Sequence, residues 1–138
     1  MKHIRVILAD DHAVLRIGIR NLLSHSPDIE VIGEAGDGFE ALRLVNELNP
    51  DVLLLDMEMP GMDGVEVARQ LRMRVSPVRI LALSAYNDRQ YILSMLDQGA
   101  SGYLIKDEAP GTIVEAVRSV AKGERGWFSR KVAARMAG

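Results

Sequence analysis

Five polar side chains stand where short apolar segments of the chain end. They are Asp10, Asp11, Asp56, Ser84 and Lys106. Neighbouring carboxylates repel one another and raise one another's pKa values, whereas a bound divalent cation relieves that repulsion. A hard cation such as Mg²⁺ takes oxygen ligands, while a lysine and a hydroxyl can bind an anionic oxygen. If the fold gathers these groups, they suit an aspartate that accepts a phosphoryl group with the help of Mg²⁺.

The apolar segments alternate with amphipathic stretches, and this alternation predicts the elements that must position the five side chains. We expect strands at residues 4–10, 29–35, 51–56, 78–85 and 102–106. We expect helices at residues 12–25, 38–49, 65–74, 89–98 and 113–123. Such alternation favours an α/β fold, in which a parallel sheet is covered by helices on both faces. Ligands bind such sheets beyond the carboxyl ends of the strands, which is where the five side chains would lie.

Helix boundaries follow from residues that cap or end helices. Asn87 or Asp88 can cap the fourth helix, and Gly99 can end it. Thr112 and Glu115 have the spacing of a capping box, so we expect the fifth helix to begin directly after Thr112.

Length and charge limit the classes of protein to which the chain can belong. Its 138 residues suit one domain, and 17 basic against 19 acidic residues give a net charge of −2. That balance argues against a mainly electrostatic grip on nucleic acid. The absence of cysteine excludes disulfides, thiolate zinc sites and cysteine nucleophiles. The apolar runs are far shorter than the ~20 residues of a membrane span and no secretory signal is evident, so we expect a cytoplasmic location without membrane contact.

Four motifs, in this order along the chain, resemble the receiver domain of two-component response regulators. They are LADDH at 8–12, LLLDMEMPGMDG at 53–64, LALSA at 81–85 and GYLIKD at 102–107. The resemblance covers roughly residues 3–121. It implies a doubly wound, five-stranded parallel sheet with the strand order 2-1-3-4-5, flanked by five helices on its two faces.

The resemblance also implies a role for each residue around the metal. Asp56 would be the phosphoacceptor, which takes the phosphoryl group from a sensor histidine kinase. Asp11, Asp56 and the backbone carbonyl of Glu58 would bind Mg²⁺ directly. Asp10 would bind it through a water. These roles describe a signalling switch and not a turnover enzyme.

Further residues would bind the phosphoryl group and pass the signal to the surface. Ser84 and Lys106 would each bind a phosphoryl oxygen, and Tyr103 would change rotamer when Ser84 moves inward. Glu58 and Tyr86 flank the site, where such neighbours can tune the access of water. The resemblance implies an altered surface on helix 4, strand 5 and helix 5, which would control an output domain for transcription and support a homodimer after phosphorylation.

The last part of the chain departs from a common receiver pattern. Asp107 follows the lysine, where many receivers carry a proline, and this feature resembles the subfamily with a LuxR-type helix-turn-helix output domain. We therefore expect a receiver domain at residues 1–122 and the start of a linker at residues 123–138. The output domain is absent from the sequence, and DNA binding would be a property of that domain. We expect the basic residues near the end, Arg130, Lys131 and Arg135, to form a solvated surface.

The sequence leaves two other functions open. An aspartate-nucleophile phosphatase or phosphotransferase acting on a small metabolite would also use an acid at a strand end, but Glu58 stands where its second aspartate belongs. Residues 36–41, GDGFEA, match a dinucleotide fingerprint but follow the second predicted strand and leave the five polar side chains unused. His12 lies beside the acids, yet we expect it to pack or point outward because it begins a helix.

Overall fold

The computed structural model describes residues 3–85 and 88–137, which form a parallel sheet between two layers of helices. The strands are β1 (Ile4–Ala9), β2 (Ile29–Ala35), β3 (Val52–Asp56), β4 (Arg79–Ser84), β5 (Gly102–Ile105) and β6 (Trp127–Phe128). They lie in the order β2-β1-β3-β4-β5-β6, and every neighbouring pair is parallel. The predicted α/β class and the order of the first five strands are confirmed, and a sixth strand extends the sheet.

The helices of the described chain cover both faces of the sheet. They are α1 (Ala13–Ser24), α2 (Gly38–Leu48), α3 (Gly64–Met73), α4 (Arg89–Asp97), α5 (Ala109–Ala121) and α6 (Arg130–Ala137), and a 3₁₀ turn, Lys106–Glu108, precedes α5. Ile7 and Leu53 pack on the side of α2, α3 and α4, whereas Leu8 and Leu54 pack on the side of α1 and α5. Burial on both faces explains why the central strands read as nearly continuous apolar runs. Within residues 3–85 and 88–137, no helix is both long enough and apolar enough to cross a membrane.

Aspartate side chains begin three of the helices. Asp37, Asp63 and Asp88 each accept a hydrogen bond from a backbone N–H in the first turn of α2, α3 and α4, respectively. Asp88 was one of two predicted caps for α4, and the other, Asn87, lies outside the described residues. Gly99 follows α4 with a φ of +89°, as predicted for a residue that ends a helix.

The start of α5 differs from its prediction. α5 begins at Ala109, so Thr112 lies inside the helix instead of before it. The Thr112 hydroxyl donates to the backbone carbonyl of Glu108 at 2.9 Å, and Pro110 stands in the first turn, where its missing N–H has no partner to lose. The capping-box prediction was wrong because the spacing of Thr112 and Glu115 does not reveal that a proline-led turn already precedes them.

Residues 127–137 pack against the sheet and its helices. β6 pairs with the free edge of β5. Val132 of α6 is fully buried in the same apolar layer as α4. The ammonium of Lys131 lies 2.7 Å from Oδ2 of Asp107, so one of the expected solvated basic residues has an acidic partner. The segment that resembles the start of a linker therefore contributes the sixth strand and the sixth helix.

The register of the sheet brings the carboxyl ends of four strands to the same end of the molecule. Leu83 of β4 lies opposite Asp56, so Ser84 is one residue further along. Ile105, the last residue of β5, lies opposite Ser84, and Lys106 follows it directly. Asp10 follows β1, which pairs with β3. Four of the predicted site residues thus stand on adjacent strands.

Candidate functional site

Lys106 lies between two buried carboxylates at this end of the sheet. Its Nζ is 3.1 Å from Oδ2 of Asp56 and 3.3 Å from Oδ2 of Asp10. Both carboxylates are fully buried, and only 12% of the lysine side chain is exposed. Buried charges require an opposite charge nearby, so these three groups form one electrostatic unit.

Backbone N–H groups hold only one oxygen of each buried carboxylate. Oδ1 of Asp10 accepts a hydrogen bond from the N–H of His12 at 2.8 Å, and Oδ1 of Asp56 accepts one from the N–H of Glu58 at 3.0 Å. The two Oδ2 atoms share the ammonium of Lys106 and accept no backbone hydrogen bond from the described residues. A buried anionic oxygen in that state is costly, and a bound cation would lower the cost.

Asp11 and His12 complete a cluster of ligand atoms around these carboxylates. One atom each from Asp10, Asp11, His12 and Asp56 lies within 4.8 Å of all the others. Carboxylate oxygens dominate this set, which suits a hard divalent cation. The buried Oδ2 atoms of Asp10 and Asp56 provide a second reason for a cation there. The residues therefore fit a divalent metal ion.

The side chain of Glu58 binds the donors at the end of β4. The Ser84 hydroxyl donates to Oε2 of Glu58 at 3.0 Å, and the N–H of Ala85 donates to Oε1 at 3.2 Å. Ser84 is buried, whereas Glu58 is half-buried. Glu58 also lines an open cleft that reaches Lys106. Its carboxylate thus joins the cleft to the buried hydroxyl.

Burial and charge set the protonation of the site. Burial raises the pKa of Asp56 to about 7, while the hydrogen bond from the N–H of Glu58 lowers it, Asp10 raises it and Lys106 lowers it. Burial alone would lower the pKa of Lys106, but the charges of Asp56 and Asp10 raise it overall. Without a cation, Asp56 therefore titrates near neutral pH, and Lys106 remains positively charged.

Tyr103 lies in β5, next to the strand that carries Ser84. Its side chain is fully buried. Burial raises the pKa of Tyr103 to about 12, and a side-chain hydrogen bond with Ser84 acts in the opposite direction. The phenol is therefore neutral at physiological pH and is in contact with the Ser84 hydroxyl.

The structure also shows contacts that the sequence did not reveal. Glu58 was expected to act through its backbone carbonyl, but its carboxylate binds Ser84 across 26 residues of sequence. His12 points outward with 63% of its side chain exposed, as expected, yet its Nδ1 lies 3.3 Å from a carboxylate oxygen of Asp10. Tyr86, also expected beside the site, lies outside the described residues. The one sequence signal for the contact between Glu58 and Ser84 was the position of this acid, two residues after Asp56.

The dinucleotide-like segment has a structural role at the start of α2. Asp37 is extended and accepts a hydrogen bond from the N–H of Glu40 at 2.8 Å. A phosphate at this helix start would meet the charges of both acids. The geometry therefore favours a helix cap over a nucleotide site.

Known proteins match most of the length of the chain. A family model described as the response regulator receiver domain matches residues 6–118. Transcriptional regulatory protein LiaR of Bacillus subtilis is 44% identical over 121 residues, which are 88% of this chain and 57% of LiaR. The nitrate/nitrite response regulator protein NarL of Escherichia coli K12 is 41% identical over 119 residues, which are 86% of this chain and 55% of NarL. The chain thus spans a little over half the length of these curated relatives.

A solved structure extends the match to the last strand and helix. The two-component response regulator of the LuxR family from Aurantimonas sp. SI85-9A1 has a TM-score of 0.92 and 34% sequence identity, and the match covers 99% of this chain and 96% of that one. Coverage of this extent includes the segment of β6 and α6. Fold, sequence and the family match over residues 6–118 agree, and the chain belongs to the response regulator receiver domain family.

Proposed function

We propose that this domain is a phosphoacceptor switch, in which Asp56 takes a phosphoryl group from the phosphohistidine of a sensor kinase. The observation that carries the proposal is the buried Asp56 carboxylate, which lies 3.1 Å from the ammonium of Lys106 and within the acidic cluster. An oxygen of Asp56 would attack phosphorus and form an O–P bond. The P–N bond breaks and its electrons return to the imidazole of the kinase, which leaves an acyl phosphate on Asp56.

The residues around Asp56 would hold a cation and neutralise charge. A bound Mg²⁺ would supply neutralisation and alignment of the phosphoryl oxygens. Asp11, Asp56 and the carbonyl of Glu58 would bind it directly, and Asp10 through a water. Lys106 would exchange its contact with Asp56 for a phosphoryl oxygen, and its raised pKa keeps it charged for that contact.

Ser84 and Tyr103 would carry the signal to the surface. Ser84 would donate its hydroxyl to a phosphoryl oxygen, and the contact between Ser84 and Tyr103 supports a coupled movement of the phenol. That movement would change the surface formed by α4, β5 and α5. By analogy with LiaR and NarL, whose names describe regulators, the changed surface would control a transcription output domain and favour a homodimer.

Phosphorylation in solution tests the proposal. Incubation with Mg²⁺ and a small acyl-phosphate donor should add one phosphoryl group to the wild-type protein, and intact mass spectrometry would detect it. Asp56→Asn, which keeps the shape of the side chain, should take up none. Equal uptake by both proteins would refute the role of Asp56. Steady multiple turnover of phosphomonoesters would favour the metabolite phosphatase instead.

A further inference from the structure

The carboxylate of Glu58 occupies two hydrogen-bond donors beside Asp56. The Ser84 hydroxyl and the N–H of Ala85 each donate to a different oxygen of that carboxylate, at 3.0 and 3.2 Å. The pairing of β3 with β4 places these donors directly after Leu83, which lies opposite Asp56. Both donors are therefore already bound to an anion, which is the carboxylate of Glu58.

We propose that Glu58 is an internal competitor of the phosphoryl group, whose carboxylate must leave Ser84 and Ala85 before a phosphoryl oxygen can bind there. The inference rests on the proposed function of Asp56. The side chain of Glu58 would then have a positioning role, separate from the metal-binding role of its backbone carbonyl. It would set how readily the site accepts a phosphoryl group.

The chemistry of the donors makes the two anions exclusive. A hydroxyl and a backbone N–H each offer a single hydrogen, so neither can serve the carboxylate and a phosphoryl oxygen equally well. A phosphorylated Asp56 would also repel the charge of Glu58 at short range. Both effects favour departure of the carboxylate when Asp56 is phosphorylated.

The structure offers the Glu58 side chain a place to go. Glu58 lines an open cleft together with His12, Val14, Leu15 and Lys106. Val14 is 85% exposed, so the cleft opens to solvent there. The carboxylate can therefore leave Ser84 by rotation of a half-buried side chain, and the apolar core does not need to repack.

Beryllofluoride titration in excess Mg²⁺ tests the competition, with the amide signal of Ala85 as the readout. Glu58→Asp keeps the charge but is one methylene shorter, so it should no longer reach both donors, and Glu58→Ala removes the carboxylate. We expect both variants to bind beryllofluoride about tenfold more tightly than wild type. Such a change equals about 1.4 kcal/mol, which is close to the lower end of the range of about 1.5–3 kcal/mol for a hydrogen bond to a charged group.

A matched control separates competition from net charge. Glu30→Gln removes an exposed acid near the amino end of β2, far from the carboxyl ends of the strands, and should bind beryllofluoride as wild type does. In the protein without beryllofluoride, exchange of the Ala85 amide hydrogen should be faster in Glu58→Asp and Glu58→Ala than in wild type.

The outcomes distinguish the inference from the function on which it rests. Unchanged binding in both Glu58 variants would overturn the competition. Tighter binding in Glu58→Ala with wild-type binding in Glu58→Asp would also overturn it, because charge alone would then explain the effect. If wild type neither binds beryllofluoride nor accepts a phosphoryl group, the proposed function itself fails, and the inference fails with it.

Discussion

Burial and neighbouring charges have opposing effects on the pKa of Asp56. Removal from water is the largest effect on its carboxylate and raises its pKa, whereas the N–H of Glu58 and the ammonium of Lys106 partly offset that effect. The second buried acid, Asp10, adds repulsion. The protein without a cation therefore keeps an ionised Asp56 only at a cost in stability, and that cost depends on pH.

We expect Asp56→Asn to weaken the pH dependence of stability in the presence of a chelator. The folded pKa of about 7 lies above the value of 3.8 for an unperturbed aspartate, so the folded state binds the proton more tightly. The stabilisation from this proton is complete below the unfolded pKa of 3.8 and is lost as the pH rises through the folded pKa of about 7. Between them, wild type should lose up to about 1.4 kcal/mol per pH unit from this group. Urea unfolding from about pH 5 to pH 8 measures the slope.

An exposed acid provides the control for this slope. Asp97→Asn removes a carboxylate at the end of α4 and should keep the wild-type pH dependence. Equal slopes for Asp56→Asn and wild type would contradict the assignment of the titration to Asp56.

A divalent cation should relieve the same cost. Added Mg²⁺ should raise the free energy of unfolding of wild type, by about 2.7 kcal/mol at a concentration one hundred times its Kd, because it binds only the folded site. Asp11→Asn should need a higher Mg²⁺ concentration for the same gain, since it removes one carboxylate of the cluster. Thermal unfolding against Mg²⁺ concentration measures both effects. An unchanged Mg²⁺ response in Asp11→Asn would exclude this residue as a ligand, with Asp97→Asn as the control.

At the scale of elements, the end of α3 contains backbone strain. Ser76 N–H donates to the carbonyl of Leu71 and Val75 N–H donates to that of Arg72, each at 3.0 Å. These are the two bonds of a Schellman motif, in which glycine commonly occupies the left-handed position. Here Val75 occupies it with a φ of +54°. A β-branched residue is unfavourable in this conformation.

We expect Val75→Gly to raise the free energy of unfolding by about 1 kcal/mol. The left-handed conformation costs an L-residue roughly 1–2 kcal/mol, and the greater freedom of glycine in the unfolded chain offsets part of the gain. Little apolar burial is lost because Val75 is 85% exposed. Met73→Gly, at an exposed helical position in the same turn, should instead lower stability. Urea unfolding of the three proteins measures the differences, and destabilisation by Val75→Gly would contradict the strain.

Sequence patterns predicted the elements that have strong local signals. β2 has the predicted bounds, and Asp88, one of the two predicted caps, stands where α4 begins. β6 has only two residues and exists because it finds the free edge of β5, so no local pattern could indicate it. The start of α5 was misplaced because two overlapping start signals, Pro110 and Thr112, compete within four residues.

The site was predictable to a similar degree. Parallel strands bring their carboxyl ends to the same end of a sheet, so the strand pattern could place Asp56 and Lys106 at that end, whereas the order of the strands came from the resemblance. The partner of a side chain depends on rotamers and on distant chain segments, which a single sequence does not encode in a local pattern. The contact between Glu58 and Ser84 is of this kind.

At the scale of the whole molecule, α6 contacts the turn that carries Lys106 through hydrogen bonds. The two residues after the lysine, Asp107 and Glu108, accept hydrogen bonds from the side chain and the backbone N–H of Lys131, respectively. Exposed ion pairs of this kind contribute little to stability. The buried Val132 and the pairing of β6 with β5 therefore provide most of the attachment.

We expect Gly102→Ala to detach β6 from the sheet. A Cβ at residue 102 would lie 2.6 Å from the carbonyl oxygen of Trp127 and 2.9 Å from a methyl group of Leu81, so only glycine allows the two strands this close. Trp127 is the single tryptophan and is half-buried, so its fluorescence should shift to longer wavelength as β6 leaves. The amide of Ser129, which donates to the carbonyl of Tyr103, should exchange faster.

Gly111→Ala separates this effect from a general response to an added methyl group. Gly111 lies in α5 with open space around its Cβ position, so alanine should be tolerated and should favour the helix by up to about 1 kcal/mol. Its tryptophan fluorescence and the exchange of Ser129 should match wild type. If Gly102→Ala also matched wild type in both measurements, β6 would remain paired with β5 despite the added methyl group, and the close approach of the two strands would not require glycine at residue 102.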